Sequence, residues 1–532
     1  MKNIKKYIVT LGLLTAVVSC DNLQDLNVNP SFPVDVSAQA LMPPIQQQMA
    51  VGLQFDNRYL GRYVQYFSNA TAENEWDRYG YVANNDQGGE IWKMAYFSLG
   101  LNITRMQEKA VAEERHDITG MAKVIRAWSW QVATDYHSEL IDFDQAFTQR
   151  MSFDYVGQEK VYAEILRLIN EGVTDLARTD GKVSASYAAV GDKMYNGDRA
   201  KWTKFAWGIV ARNLNNQINK STYNADAVIA ACDKSLASNT DNALINYNGS
   251  VSADSNFNGP GRNNIFLFRQ TDFMVRVMDG TVFTGAVDPR MSRILAPSIG
   301  LSEASPASTA IPDPTKYTFV GNPLNTTASS TTSPSRIPNL WGTFSTGTVT
   351  TPGRYIFRDK ASFPIMTYAE IQFIKAEAAF KKGDKTLALA AYKKGIEASI
   401  DFVNLNTVVS TSYPITSAIT ATEKNTFLAN LNVVPAEANL TMSHIILQKY
   451  ISLFGFGNLE AWTDMRKYHY DNVNIYKTMA FPTLLFADNG GKLPYRVRPR
   501  FNSEYVWNFE ALKAIGADKV EYHTVEMWFS KP

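Results

Sequence analysis

The chain has 532 residues, 45% of them apolar, so it allows one large domain or several ordinary ones with a sizeable core. Its 52 basic and 51 acidic side chains nearly cancel, which argues against nucleic acid, whose binding needs clustered Lys and Arg to displace counterions. The same balance leaves no polybasic patch for a membrane surface.

The first segment is an address. Lys2, Lys5 and Lys6 precede an apolar run from Ile8 to Val18 that is too short to span a membrane as a mature helix, and the run ends in Val17-Val18-Ser19-Cys20. A basic start, an apolar core and a small residue before the cut make a secretion signal. Because cysteine follows the cut, the pattern matches a bacterial lipobox, in which the thiol is acylated before the signal is removed. Residues 1–19 are read as a lipoprotein signal peptide, Cys20 as the lipidated first residue, and 20–33 as a polar, proline-interrupted tether. Each buried methylene of an acyl chain is worth about 0.8 kcal/mol, so a multiply acylated cysteine holds its protein in the membrane lastingly. Removing 1–19 deletes three lysines and no acid, leaving 49 basic against 51 acidic residues and a formal charge of −2. With Cys20 acylated, Cys232 has no partner for an intramolecular disulfide. Its setting, Ala-Val-Ile-Ala-Ala-Cys-Asp, is that of a small hydrophobe. Beyond the signal no run of about 18 apolar residues predicts a membrane span.

The body is read as residues 34–532. Helical spacing covers Ser37 to Tyr66 through Leu41, Ile45, Met49 and Leu53, with Pro43-Pro44 near its start. Asn69 to Gly89 breaks the pattern, with large aromatics among turn formers and no periodicity, and predicts a surface loop with exposed rings. Helical periodicity returns at Ile91–Glu114, Thr119–Tyr136, Glu159–Leu176, Lys201–Ile218 and Asp226–Ser238, as paired helices with short connections. From about 250 to 352 the chain is rich in Ser, Thr, Asn, Gly and Pro and reads as an irregular insertion lying on the surface. Helices resume at Tyr368. Thr367 and Glu370 have capping-box spacing, Gly383 stops the helix and Asp384 caps the next, through Ser399. Apolar residues cover most of the circumference of the first of these helices, which predicts an interior position. Ala376, Gly383, Ala388, Tyr392 and Gly395 fall at tetratricopeptide positions, with Ala379 where an aromatic is expected. Met442–Phe454 and Leu459–Tyr468 make a final pair.

Catalytic signatures are missing from the sequence: there is no His-Glu-x-x-His, no phosphate-cradling glycine loop and no Gly-x-Ser-x-Gly, and five histidines are scattered without metal-ligand spacing. No cofactor, metal ligand or catalytic residue is therefore assigned. Sugar binding needs less. Exposed rings pack on apolar C–H faces, and Asn, Asp and Arg pair with hydroxyls. The 69–89 loop has that composition, so Trp76, Arg78, Tyr79 and Tyr81 are candidate ligand contacts, with Asn69 and Asn74 as hydroxyl partners. Trp92, Tyr96, Trp128, Trp202 and Trp462 recur at helical spacing and are read as core, and Glu377 and Asp464 as buried hydrogen-bonding groups.

Several segments together resemble the SusD/RagB-like outer-membrane lipoproteins, in their SusD-like-2 branch. They are Asp198 to Arg212, Asp288-Pro289-Arg290, Pro364 to Gly383, Gln448 to Arg466 with its Glu-Ala-Trp-Thr-Asp-Met-Arg ending, and Pro494 to Tyr505. The chain departs from the family pattern at Asp135 to Phe143, at Trp207-Gly208 and at Lys467. The resemblance implies a mainly α fold, in which tetratricopeptide-like helix pairs form a scaffold and an irregular, loop-rich lobe carries the ligand surface. It places ligand-contacting aromatics in loops comparable to that of Trp341 and Phe344. It also implies a surface-exposed, lipid-anchored outer-membrane protein that captures glycan as the lid of a SusC-like TonB-dependent transporter. A lid for peptide, a purely structural lid, and a lipid-anchored glycosidase are the alternatives.

Overall fold

Capping side chains set the helix starts. Asp198 accepts from the amides of Ala200 and Lys201, Asn224 from Ala227, Thr367 from Glu370 and Asp384 from Leu387. In this computed structural model, which describes residues 36–298, 317–328, 336–344, 346–410 and 416–532, the longer helices are α1 (Met42–Tyr63), α2 (Gly100–Ala112), α3 (His116–His137), α4 (Gln158–Ala177), α5 (Arg199–Asn216), α6 (Ala225–Lys234), α7 (Tyr368–Lys382), α8 (Lys385–Asn406), α9 (Met442–Ser452) and α10 (Asn458–Lys467). The expected signal, the tether and Cys20 lie outside the described residues.

Helix pairs α3–α4, α5–α6 and α7–α8 pack along their lengths, and α4–α5, α6–α7 and α7–α9 contacts join one pair to the next. This is the tetratricopeptide-like array that the resemblance implies, with α7–α8 the pair whose spacing predicts it. Helix α7 is packed by α5, α6, α8 and α9 and is interior, as its apolar circumference requires. Gly383 ends it in the left-handed region at φ +92°. One detail differs. Thr367 caps the helix, but the Glu370 carboxylate is drawn away from the cap to Arg212, whose Nε and Nη2 donate to it at 2.5 and 2.7 Å.

That ion pair belongs to a buried network across the array. Arg212 also meets Glu460 at 3.0 Å. Glu377 accepts from Lys467, Asn215 and Tyr468 at 2.7–2.8 Å, and Asp464 pairs with Lys449 and Lys467 at 2.8 Å. Burial opposes the charge of Glu377, but Lys467 and Lys449 outweigh it and hold the carboxyl down at about 2. Cys232 is buried on α6, and burial pushes its thiol far up.

Strand is a minor part of the fold. Among the described residues, three two-stranded antiparallel pairs staple separate segments: Phe67–Asn69 with Phe268–Gln270, Leu140–Ile141 with Tyr155–Val156, and Ala243–Ile245 with Phe363–Met366.

The described residues of the 250–352 segment are mostly irregular, but many of them are buried, which corrects their placement on the surface. Buried amides satisfy the backbone that a loop would otherwise strand. Asn256 donates to Ala361 O at 2.9 Å and accepts from Asn258 N at 2.9 Å. Gln270 donates to Ala296 O and Val320 O at 3.0 Å, and Asn322 donates to Thr326 O at 3.0 Å.

The predicted helix Ile91–Glu114 is broken into a short helix (Glu90–Lys93), a π turn (Met94–Ser98) and α2. Leu99 N donates to Met94 O at 3.0 Å, the i to i+5 bond of the π turn. Gly100 follows where a side chain would strike Ala95 O and the Phe147 ring. The turn packs on α1 and α3, and Asp56 of α1 fixes its entry by accepting Ile91 N–H at 2.7 Å.

Candidate functional site

A second π turn, Phe501–Tyr505, faces the first across an open cavity of about 580 Å³. π turns insert an extra residue into a helix and frequently occur at functional sites. Phe97 of the first turn and Trp507, just past the second, both line the cavity, 66% and 74% exposed, with Met151 beside them at 88%. Trp92 forms part of its wall, with Lys93, Arg500, Ser503 and Asn508 among the polar lining groups.

A buried carboxylate holds these parts in place. Glu504 accepts from Trp92 Nε1 at 3.0 Å, from Asn508 Nδ2 at 3.1 Å and from the Tyr155 hydroxyl. Burial, then the charge of Glu504, push the Tyr155 hydroxyl far up, so it stays a donor. Asn508 also clamps the backbone of Phe153 from both sides, accepting from N at 2.9 Å and donating to O at 3.0 Å. With three donors on it, Glu504 serves as a brace.

On the other side of Phe501–Tyr505 lies a smaller, more polar pocket of about 200 Å³. The 85–89 end of the predicted loop lines it together with Tyr81, Asn84, Arg498 and Tyr505, and Arg500 borders both hollows. Asp86 ties the loop to the π turn through Arg500 and through Asn502, whose N and Nδ2 donate at 2.9 and 2.8 Å. Tyr81 donates to Asp488 at 2.8 Å, with the Arg498 guanidinium 4.6 Å from its ring. Burial pushes its hydroxyl up to about 12, against the pull of Arg498. An apolar wall with exposed rings and an adjoining set of amides and guanidiniums can hold a ligand that has both C–H faces and hydroxyls.

The sequence-derived candidates divide. Tyr81 lines the polar pocket. Asn74 is exposed, and Asn69 is half-buried with its amide donating to Glu73 at 3.1 Å. Arg78 is half-buried, its guanidinium 2.9 Å from the Asn325 amide oxygen in the orientation that satisfies both groups. Trp76 and Tyr79 are fully buried, which corrects the expectation of exposed rings for both. Trp76 lies 4.7 and 5.5 Å from the Tyr59 and Tyr63 rings and donates to Gln87 at 3.0 Å, while Tyr79 stacks on Tyr63 and accepts from Gln65. Trp341, 2% exposed, is likewise interior and donates to Asn258 O at 2.8 Å. Phe344 is half-buried beneath Arg336 at 3.7 Å. Trp92, Trp128, Trp202 and Trp462 are core residues and Tyr96 packs against that core, in keeping with their helical spacing.

Phe97, Trp507, Arg498 and Arg500 were not singled out from the sequence. The available signal was the crowding of Phe501, Tyr505, Trp507 and Phe509 after Pro499, without helical period. The family described as "Starch-binding associating with outer membrane", SusD-like 2, matches residues 30–498. The chain belongs to this family. No curated relative matches it. Among solved structures, this SusD-like chain is similar to a SusD/RagB family protein of Bacteroides thetaiotaomicron, at 20% identity and TM-score 0.68 over 93% of this chain and 99% of the other. A SusD homolog of Bacteroides fragilis aligns at 19% identity and TM-score 0.67, over 93% and 100%. A chitin-binding protein aligns at 18% identity and TM-score 0.67, over 93% and 99%. These likenesses show the fold, a mainly helical SusD-like architecture.

Proposed function

We propose that this SusD-like protein is a non-catalytic, lipid-anchored glycan-binding protein of the outer-membrane surface, which passes oligosaccharide to a SusC-like TonB-dependent transporter. The observation that carries the reading is the open cavity presenting Trp507 and Phe97 beside an amide- and arginine-rich pocket, on a chain whose family is named for starch binding. A sugar ring would stack on Trp507, and Asn84, Arg498 and Arg500 would meet its hydroxyls. A chitin-binding protein of the same fold supports a carbohydrate ligand. The lipobox ending at Cys20 supports the anchor.

Isothermal titration against a panel of neutral and acidic oligosaccharides tests the reading. One of them is expected to bind, and Trp507→Ala is expected to weaken it about tenfold or more, roughly 1.4 kcal/mol. No binding across the panel, or full affinity in Trp507→Ala, would remove the assignment. Co-purification with a TonB-dependent transporter in the absence of any sugar affinity would favour a structural lid instead.

A further inference from the structure

Behind the first cavity sits a buried cation without a counter-ion. Arg126, on α3, is 7% exposed, and its Nη2 donates to Gly100 O and Thr104 Oγ1 at 2.8 Å each. Its Nη1 has no hydrogen-bond partner, and no carboxylate pairs with it among the described residues. Lone buried charges are costly, and native structures ordinarily pair them. The Phe147 ring at 4.4 Å and the Trp130 ring at 5.4 Å offset part of that cost through their π faces but give Nη1 no oxygen. Phe147 is itself held at φ +68°, a strained setting for a bulky residue.

Arg126 lines a separate cavity of about 580 Å³, whose apolar wall is Trp130, Phe143 and Phe147 and whose lining also includes Glu108, Glu164 and Arg167, the last already paired with Glu164 and Glu171. Phe147 lines this cavity and the Trp507 cavity alike, so the two are neighbours. Glu164 is already engaged by Arg167 at 2.7 Å, and Glu108 is exposed. Two carboxylates near one free cation disfavour a polyanion and suit a ligand with one negative charge among many hydroxyls.

We propose that this cavity is a subsite for a sugar acid, its carboxylate on Arg126, its ring against Trp130 and Phe143, and its hydroxyls donating to Glu108 and Glu164. The proposal rests on the glycan-binding reading and narrows it to uronate-containing oligosaccharides. Titration with an oligosaccharide carrying a single glucuronate residue, and with its carboxyl-reduced neutral counterpart, separates the two readings. The acidic sugar is expected to bind at least about tenfold more tightly. Arg126→Met, which keeps the aliphatic stem, is expected to erase that preference, while Arg126→Lys keeps part of it. Equal wild-type affinity for the two sugars, a comparison that needs no variant, overturns the subsite and leaves the glycan reading standing. A preference that survives Arg126→Met also overturns it. Failure of every sugar in the wider panel removes both.

Discussion

Trp76 and Trp507 carry the same side chain into opposite settings, and the difference decides what each substitution does. Trp76 packs between Tyr59 and Tyr63 with its indole N–H satisfied, so Trp76→Ala is expected to cost about 3–5 kcal/mol of stability. Trp507 is largely exposed, so Trp507→Ala should shift stability by no more than about 0.5 kcal/mol while weakening ligand. Urea unfolding beside titration checks both. A stable Trp76→Ala protein with lost affinity would return Trp76 to the ligand surface. Sequence could not separate the two tryptophans. Both stand among aperiodic neighbours, and what buries Trp76 is its contact with α1, a relation between segments and not a local pattern. Tyr81, chosen by the same composition argument, does line a pocket, because its ring lies against Arg498, Phe486 and His523 at the loop's far end.

Helices were readable where periodicity and caps agree. The α7–α8 turn follows from Gly383 and Asp384, and its worth can be measured. Asp384→Ala removes the oxygen that accepts Leu387 N–H at 3.0 Å and should cost about 1 kcal/mol. Gly383→Ala, forced to φ +92°, should cost about 1–2 kcal/mol. Chemical denaturation giving no loss for either would show that this turn does not hold the pair. The two π turns were not readable, because an inserted residue leaves the apolar spacing of Ile91–Glu114 almost intact while changing which residues face the cavity. Nor was the burial of the 250–352 segment, since its Asn and Gln residues look like surface loop until their partners, 50 or more residues away for Gln270–Val320 and Asn256–Ala361, are known.

Across the whole molecule, buried acids make stability depend on pH. Burial raises Asp56 to about 8, Asp77 to about 7 and Asp135 to about 6, against roughly 3.9 in an unfolded chain. Each binds its proton more tightly when folded, so its contribution is complete below about pH 4 and is lost as pH rises through the 6–8 range. Glu377, held at about 2, acts oppositely. Its contribution is present above roughly pH 4.3, the unfolded glutamate value, and is lost as pH falls toward 2. Calorimetry is expected to find the highest melting temperature near about pH 5 and a decline toward about pH 8.5, flattened in Asp56→Asn. A wild-type melting temperature that rises over that interval would contradict the assignment. Removing Glu377 as Glu377→Ala leaves two buried lysines, Lys449 and Lys467, on the single carboxylate of Asp464 and should cost about 3–5 kcal/mol.

The π turn at Phe501–Tyr505 also bears on how such a protein can diversify. Each helical residue advances the chain by about 100°, so deleting one residue there would relax the turn to an ordinary α turn and swing Trp507 around the axis. The helix array and its buried ion network would stay untouched, since none of the network's residues lies in that segment. A single-codon loss is thus a route to a re-aimed binding surface on an unchanged frame, and relatives that differ in length at this one place are where altered sugar preference should first be sought.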